Sequence, residues 1–299
     1  MKQDITVSIA TTAEGKRKHQ LERAIESVLS QEGCSFKLHI IINGDRFDKA
    51  FRAQLEQDQR FTCFYREEGH LPKALVYARQ VIDTEYFCFL DDDDELLSNS
   101  LSHRLNGFDT TLDVVVGNGV RCDTQTKEEV VSHPSFDQYH QDAMLALFGK
   151  SGTWLSSCAG LFRTSAIPTE YFSDYIKYAE WSYLAFKIAL NHQVGFVNKP
   201  CHRVNIQPGS LSSHSAYLEG QMALLQALKN MQLPARVMSL FNDKLIDTCH
   251  VLSVHYLSEG ETSKSWKAHF ASMKTWKGFC QYVLYTRHVI LGSVKSLNK

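Results

Sequence analysis

Apolar and polar positions alternate along ITVSIA (Ile5 to Ala10), a period of two that predicts a strand. In HQLERAIESVLSQ the apolar residues Leu21, Ile25, Val28 and Leu29 recur at i, i+4, i+7 and i+8, one face of an amphipathic helix. KLHIIING (Lys37 to Gly44) is an isoleucine-rich run closed by an Asn-Gly turn signal. A second helix is expected from about Asp48, FTCFYRE reads as a short strand, KALVYARQVI contains a third helix, and EYFCFLD is a fourth strand. The order β-α-β-α-β-α-β predicts an α/β fold, a mainly parallel Rossmann-like sheet flanked by helices.

The stretch from Asp113 to Arg163 combines VVVGNGV, a polar loop and KSGTWLSSCAGLFR, and its pattern assigns no detailed order of elements. AEWSYLAFKIAL then places Trp181, Leu184, Ala185, Ile188 and Ala189 on one helical face, with Glu180 in the first turn. From Tyr217 onward the pattern is mostly helical. The expected division is a catalytic domain over residues 1–215 and a helical C-terminal region over 216–299, with no internal repeat.

In open α/β sheets ligands bind outside the carboxyl ends of the strands. Those tips are Thr11 and Thr12, Asn43 to Asp45, and Asp91 to Glu95, all polar. The last is the most unusual, because the apolar run YFCFL ends in four aspartates and a glutamate. Adjacent unit charges at ~4 Å repel by about 4 kcal/mol at an effective dielectric near 20, so a positive partner is expected there. An EF-hand loop fails, since its sixth and twelfth positions would be Leu96 and Ser102 rather than Gly and Glu. A solvated acidic turn is the plain alternative. A carboxylate site for Mg²⁺ or Mn²⁺, completed by substrate phosphates, fits a tip fed by so apolar a strand.

ITVSIATT, SVLSQ, HIIINGD, GHLPKALVYARQ, EYFCFLDDDDEL, and later GLFRTSAIP, YAEW and GSLS occur in that order. Together they resemble family 2 glycosyltransferases of the GT-A fold, over about Ile5 to Ser212. The resemblance implies that Asp93 ligates a divalent cation holding the diphosphate of a nucleotide sugar. It places Asp91 and Asp92 against ribose and metal-bound water, and Thr11, Thr12, Asn43 and Asp45 around the nucleoside. Many relatives have an acidic pair where this chain has Ile42-Asn43, which bears on the base, normally uridine. Lys73 is a candidate for the ribose or phosphates, with an exposed helix lysine as the alternative. Arg203, Ser210, Ser212 and His214 are candidates for a loop over the diphosphate.

Inverting transfer needs a carboxylate to take the proton of the attacking hydroxyl. The family's Glu-Asp-Trp stands here as Ala179-Glu180-Trp181, so the resemblance makes Glu180 the general base. A first-turn Glu placed for the helix dipole is the alternative. The expected activity is inverting transfer from a nucleotide-diphosphate sugar, UDP-linked by preference, to a hydroxyl of a glycan or lipid-linked saccharide in bacterial surface-polysaccharide synthesis. A sugar nucleotidyltransferase is the competing enzyme class, although ATTAEGKRK carries one glycine where such enzymes have a glycine-rich loop. A degenerate nucleotide-binding subunit is the non-catalytic alternative. Acceptor specificity is expected in Trp154 to Gly160 and in the loops around Ser135 to His140.

Composition changes this picture in three respects. With 43% hydrophobic and 22% charged residues among 299, the chain is of ordinary globular type, and without a signal-like or membrane-spanning run it is expected in the cytoplasm. Eight cysteines dispersed without CxxC pairs read as reduced core thiols. Glu261 to Lys299 carries a net charge of +6 against −7 for the preceding residues. That tail interleaves Lys264, Lys267, Lys274 and Lys277 with Trp266, Phe270, Trp276, Phe279 and Tyr282. It suits either the inner face of the cytoplasmic membrane or packing as an amphipathic helix; with an acidic body, no nucleic-acid partner is expected.

Overall fold

The computed structural model describes residues 4–149, 151–207 and 215–297. In chain order its first part comprises β1 (Ile5–Thr11), α1 (Lys18–Leu29), β2 (Phe36–Asn43), α2 (Lys49–Gln57), β3 (Thr62–Arg66), α3 (Leu71–Gln80), β4 (Tyr86–Asp91) and β5 (Glu95–Leu96). There follow α4 (Ser100–Leu105), β6 (Val114–Asp123), β7 (Glu129–Val131), α5 (Ala143–Ala146), β8 (Gly160–Arg163), α6 (Glu170–Ser173), α7 (Glu180–Asn191) and β9 (Val194–Ile206). The second part is helical: α8 (Ser215–Leu228), α9 (Met238–Ser258), α10 (Thr262–Ser272), α11 (Trp276–Tyr282) and α12 (Thr286–Leu297). By contacts the chain forms two compact units, residues 1–175 with 180–208, and 176–179 with 209–299.

The strands form one sheet in the order β3-β2-β1-β4-β8-β6-β9-β5, with β7 beside β6. The β-α repeat predicted from the sequence is present, and β1 pairs in parallel with β2 and β4, as β2 does with β3. The unassigned middle segment supplies the rest of the sheet: β8 runs antiparallel to β4 and β6, and β6 and β9 form the longest parallel pair.

The first unit's helices follow from local chemistry. Leu21, Ala24, Ile25 and Val28 form the buried stripe of α1. Asp48 caps α2 by accepting from the Phe51 N–H at 2.8 Å, and Pro72 occupies the first turn of α3, where a missing N–H costs nothing.

Tyr86 to Leu90 of β4 are all buried because both faces of the strand are covered. Tyr86, Cys88 and Leu90 join Ile5, Val7, Ile9 and the α1 stripe in one core. Phe87 and Phe89 face an aromatic cluster: Phe87 lies 5.0 Å from Phe162, and Phe89 lies 5.2 Å from Phe172 and 5.9 Å from Trp181, centroid to centroid. The acidic run therefore begins where a doubly covered strand leaves the core.

Candidate functional site

The parallel registers set Thr11 beside Ile42, Asn43 beside Arg66 and Ala10 beside Asp91, so the three polar tips share one sheet edge. Asn43 is buried there, and its side-chain amide donates to the Thr11 carbonyl at 3.0 Å. Gly44, at φ +83°, approaches Gly69 so closely that an added Cβ would lie 2.9 Å from the Gly69 Cα. Backbone thus meets backbone between the loops after β2 and β3. Asp45 lies exposed beyond it, and Thr12 donates to Glu14 at 3.2 Å.

Each carboxylate of the acidic run has its own surroundings. Asp92 accepts from the Thr11 hydroxyl at 2.6 Å and is ion-paired with Arg17. The same guanidinium lies 3.2 Å from Asp93. The Asp93 side chain keeps 30% of its surface exposed against 10% for Asp92, which makes Asp93 the more open to a ligand. Asp94 is buried, accepts the backbone N–H of Asn205 at 2.9 Å and receives the Cys158 thiol at 3.9 Å. Glu95 is held by Arg23 at 2.9 Å, by Arg203 at 3.2 Å and by Asn205 at 3.2 Å. Asp94 and Glu95 therefore tie the turn to β9.

Burial, and next the charge of Asp93, push the Asp91 carboxyl up to about 7, against a contact from Ser157 that lowers it. Burial likewise raises Asp93, with Arg17 opposing, and raises Asp94 well above the usual range, with Asp91 adding to the effect. Burial alone would lower the Arg17 pKa; its bonds to Asp92 and Asp93 outweigh that and raise it. The edge is short of positive charge, with Arg17 as its principal internal cation.

That deficit is the test of whether a divalent cation fits. The donors are hard carboxylate oxygens, suited to Mg²⁺ or Mn²⁺. Among the described residues no group of three or more His, Cys, Asp or Glu side chains is arranged to hold a metal unaided. The residues fit a cation that takes one or two carboxylates here and completes its shell with phosphate and water.

Glu180 opens α7, where Trp181 packs on Phe89, two residues before Asp91. Its carboxylate forms no hydrogen bond or ion pair among the described residues and lines a groove with Pro72, Leu75, Tyr171, Tyr175 and Leu184. Trp181 anchors the helix, as its spacing predicts.

Two basic candidates are already engaged in ion pairs. Lys73 is exposed on α3 and ion-paired with Glu68. Arg203 of β9 is paired with Glu95 of the acidic run at 3.2 Å and with Glu129 at 2.7 Å. Ser210, Ser212 and His214 lie outside the described residues. Of the segments expected to select the acceptor, Trp154 to Gly160 is mostly buried, whereas Ser135, Asp137, Gln138 and His140 are exposed around the buried Phe136 and Tyr139; Phe136, Tyr139 and Trp154 all pack on Phe196.

Two arginines complete the site without having been singled out in the sequence. Arg17 belongs to GKRK just after β1, where a basic cluster faces an acidic run one strand away. Arg104 is wholly buried, and its guanidinium donates to the carbonyls of Cys158 at 3.0 Å and Gly160 at 3.3 Å and to the Ser100 hydroxyl at 2.9 Å. It fixes the loop that presents Ser157 and Cys158 to the aspartates. No local spacing announces such a contact.

Residues 6–167 match the model of glycosyl transferase family 2. An uncharacterized glycosyltransferase of Rickettsia typhi is 30% identical over 86 residues, which is 29% of this chain and 27% of that protein, so the matched segment spans about a quarter of the relative's length. In fold the chain is similar to TarS 1-349 of S. aureus in complex with UDP-GlcNAc: TM-score 0.61, 12% identity, 92% of this chain and 91% of that one. The complex of TarS 1-349 with UDP matches with a TM-score of 0.56 at 13% identity, over 95% and 91% of the two chains.

Proposed function

The chain belongs to glycosyl transferase family 2, and from that premise we propose that it moves a sugar from a UDP-sugar to a hydroxyl of a glycan or lipid-linked saccharide, with inversion. The observation that carries this reading is the convergence on one sheet edge of Thr11, Asn43, Asp91, Asp92 and Asp93, with the carboxylate of Glu180, unpartnered among the described residues, at the head of a helix packed on the same strand. The fold neighbours solved with UDP-GlcNAc and with UDP support a uridine donor. The similar proteins come from bacteria, and the setting proposed for the reaction is bacterial surface-glycan synthesis in the cytoplasm.

Thr11, Thr12, Asn43 and Asp45 border the nucleoside in this reading, and Asp91 and Asp92 would lie toward the ribose and, with a cation bound, toward its water. Asp93 would hold Mn²⁺ or Mg²⁺, which when bound supplies positive charge to the departing diphosphate. Arg17 adds a second cation on the same side. Glu180 takes the proton of the acceptor hydroxyl as its oxygen bonds to the anomeric carbon. The bond from that carbon to the diphosphate oxygen breaks, and its electron pair leaves with the nucleoside diphosphate. The groove of Tyr171, Tyr175 and Pro72 beside Glu180 borders the path of the acceptor.

The test is a hydrolysis and transfer screen of UDP-sugars with Mn²⁺, run on the native chain and on Glu180→Gln. Turnover that falls in the variant while UDP affinity is kept supports the reading. UDP binding without turnover on any donor would replace it with a nucleotide-binding subunit.

A further inference from the structure

The helices of the second unit present an apolar surface that their own packing does not cover. At about 100° per residue, Ile290, Leu291 and Val294 share one arc of α12 around Arg287, and all are exposed, while Val289 points inward and is buried. Trp276, at the start of α11, is 79% exposed with Phe279 stacked beside it at 5.9 Å, and Leu284 just beyond that helix is 78% exposed. Phe270 of α10 is 59% exposed. Trp266 joins α10 to α12, stacking on Phe270 at 5.3 Å while its indole N–H donates to Ser293 of α12 at 3.0 Å.

The aromatic residues of this tail are thus divided. Tyr282 faces inward, stacked on His250 at 3.9 Å and donating to Asp247 at 2.7 Å. Phe270, Trp276 and Phe279 face outward. Exposed among them are Lys267, Lys274 and Arg287, none with an ion pair among the described residues, whereas Lys264 and Lys277 are neutralised by Glu261 and Asp243.

We propose that α10, α11 and α12 form a peripheral docking surface for an anionic lipid bilayer. Trp276, Phe279 and Leu284 enter the headgroup zone, and Lys267, Lys274 and Arg287 meet the lipid phosphates. Aromatic side chains with a polar edge favour that zone, and each basic residue near an anionic surface strengthens partitioning about fivefold, equivalent to about 1 kcal/mol. Charge selects the occupant: a second copy would oppose one +6 segment to another, whereas anionic lipid complements it. Among the described residues no helix is long and apolar enough to cross a membrane, so the contact is superficial. The surface involves none of the donor-site residues, and its failure would leave the glycosyl-transfer reading intact.

The test is co-sedimentation of the full chain with phosphatidylcholine vesicles, with and without phosphatidylglycerol, alongside tryptophan emission. The proposal expects sedimentation with the anionic vesicles only, weakened by salt, with a blue shift of the emission. Trp276→Ser with Leu284→Ser should lower partitioning about tenfold or more, and Lys274→Gln about fivefold, with the melting temperature unchanged. No binding to either vesicle, or equal binding to both, overturns it. So does a concentration-dependent dimer that Trp276→Ser dissolves, which would assign the face to a second copy.

Discussion

The indole of Trp181 lies 5.9 Å from the ring of Phe89, and this contact sets the first turn of α7 against the strand that ends in Asp91. Because Glu180 precedes Trp181 and Asp91 follows Phe89 by two residues, one aromatic pair fixes how the Glu180 carboxylate sits relative to the acidic run. Trp181→Ala should cost about 2 kcal/mol of stability through the lost ring contact and cavity, and should lower turnover more than UDP affinity. Trp181→Phe should restore most of both. Thermal melts and steady-state kinetics on the pair of variants check this.

Glu180→Gln keeps the size of the side chain and removes the proton acceptor. A drop of about 10² to 10⁴ in kcat is expected, with the melting temperature and UDP affinity close to native. A parallel fall in UDP affinity would give Glu180 a structural role instead.

The acidic edge makes the metal-free protein less stable than its sequence otherwise allows. Asp93→Asn should raise the melting temperature without divalent ions, because it removes a charge from a cluster whose members Asp91, Asp93 and Asp94 are all displaced upward by burial and mutual repulsion. Mn²⁺ with UDP should raise the native melting temperature and leave the variant's unchanged. Differential scanning fluorimetry with and without Mn²⁺ reads both effects.

Arg104→Met removes the guanidinium donor from three backbone carbonyls, those of Ser100, Cys158 and Gly160, and from the Ser100 hydroxyl, and loosens the loop of Ser157 and Cys158. A loss of about 3 kcal/mol is expected from the broken buried network, read by urea unfolding. Donor binding should weaken with it.

His39 sits buried in β2, where burial, and next the charge of Lys37, push its pKa down to about 4 from an ordinary 6.5. Between those values the unfolded chain takes up a proton that the folded one refuses, so stability falls as pH drops through this window. The linked loss reaches about 3 kcal/mol at its lower end. His39→Phe should therefore gain stability relative to the native chain on going from pH 7 to pH 4, seen in the difference between their urea midpoints.

The first half of the sheet is legible because its signals are local: two-residue and 3.6-residue periods and an Asn-Gly turn. The clustering of Thr11, Asn43 and Asp91 then follows from parallel topology alone. The segment from Asp113 to Arg163 was not legible, because β6 and β8 owe their pairing to β9 and β4, far away in the chain. The same reason hides Arg104, whose partners lie 54 and 56 residues on. Nor does any local pattern show that Trp154 is buried, with its N–H donating to the Ala143 carbonyl at 2.9 Å and its ring against Phe196.

The most direct test of the donor site is calorimetric titration of UDP, and of GDP for comparison, into the native chain and Asp93→Ala, with and without Mn²⁺. The account predicts Mn²⁺-dependent UDP binding by the native chain and its loss in the variant. Binding of neither nucleotide under any condition, or UDP binding that Asp93→Ala leaves unchanged, would contradict the assignment of the acidic edge to a nucleotide diphosphate.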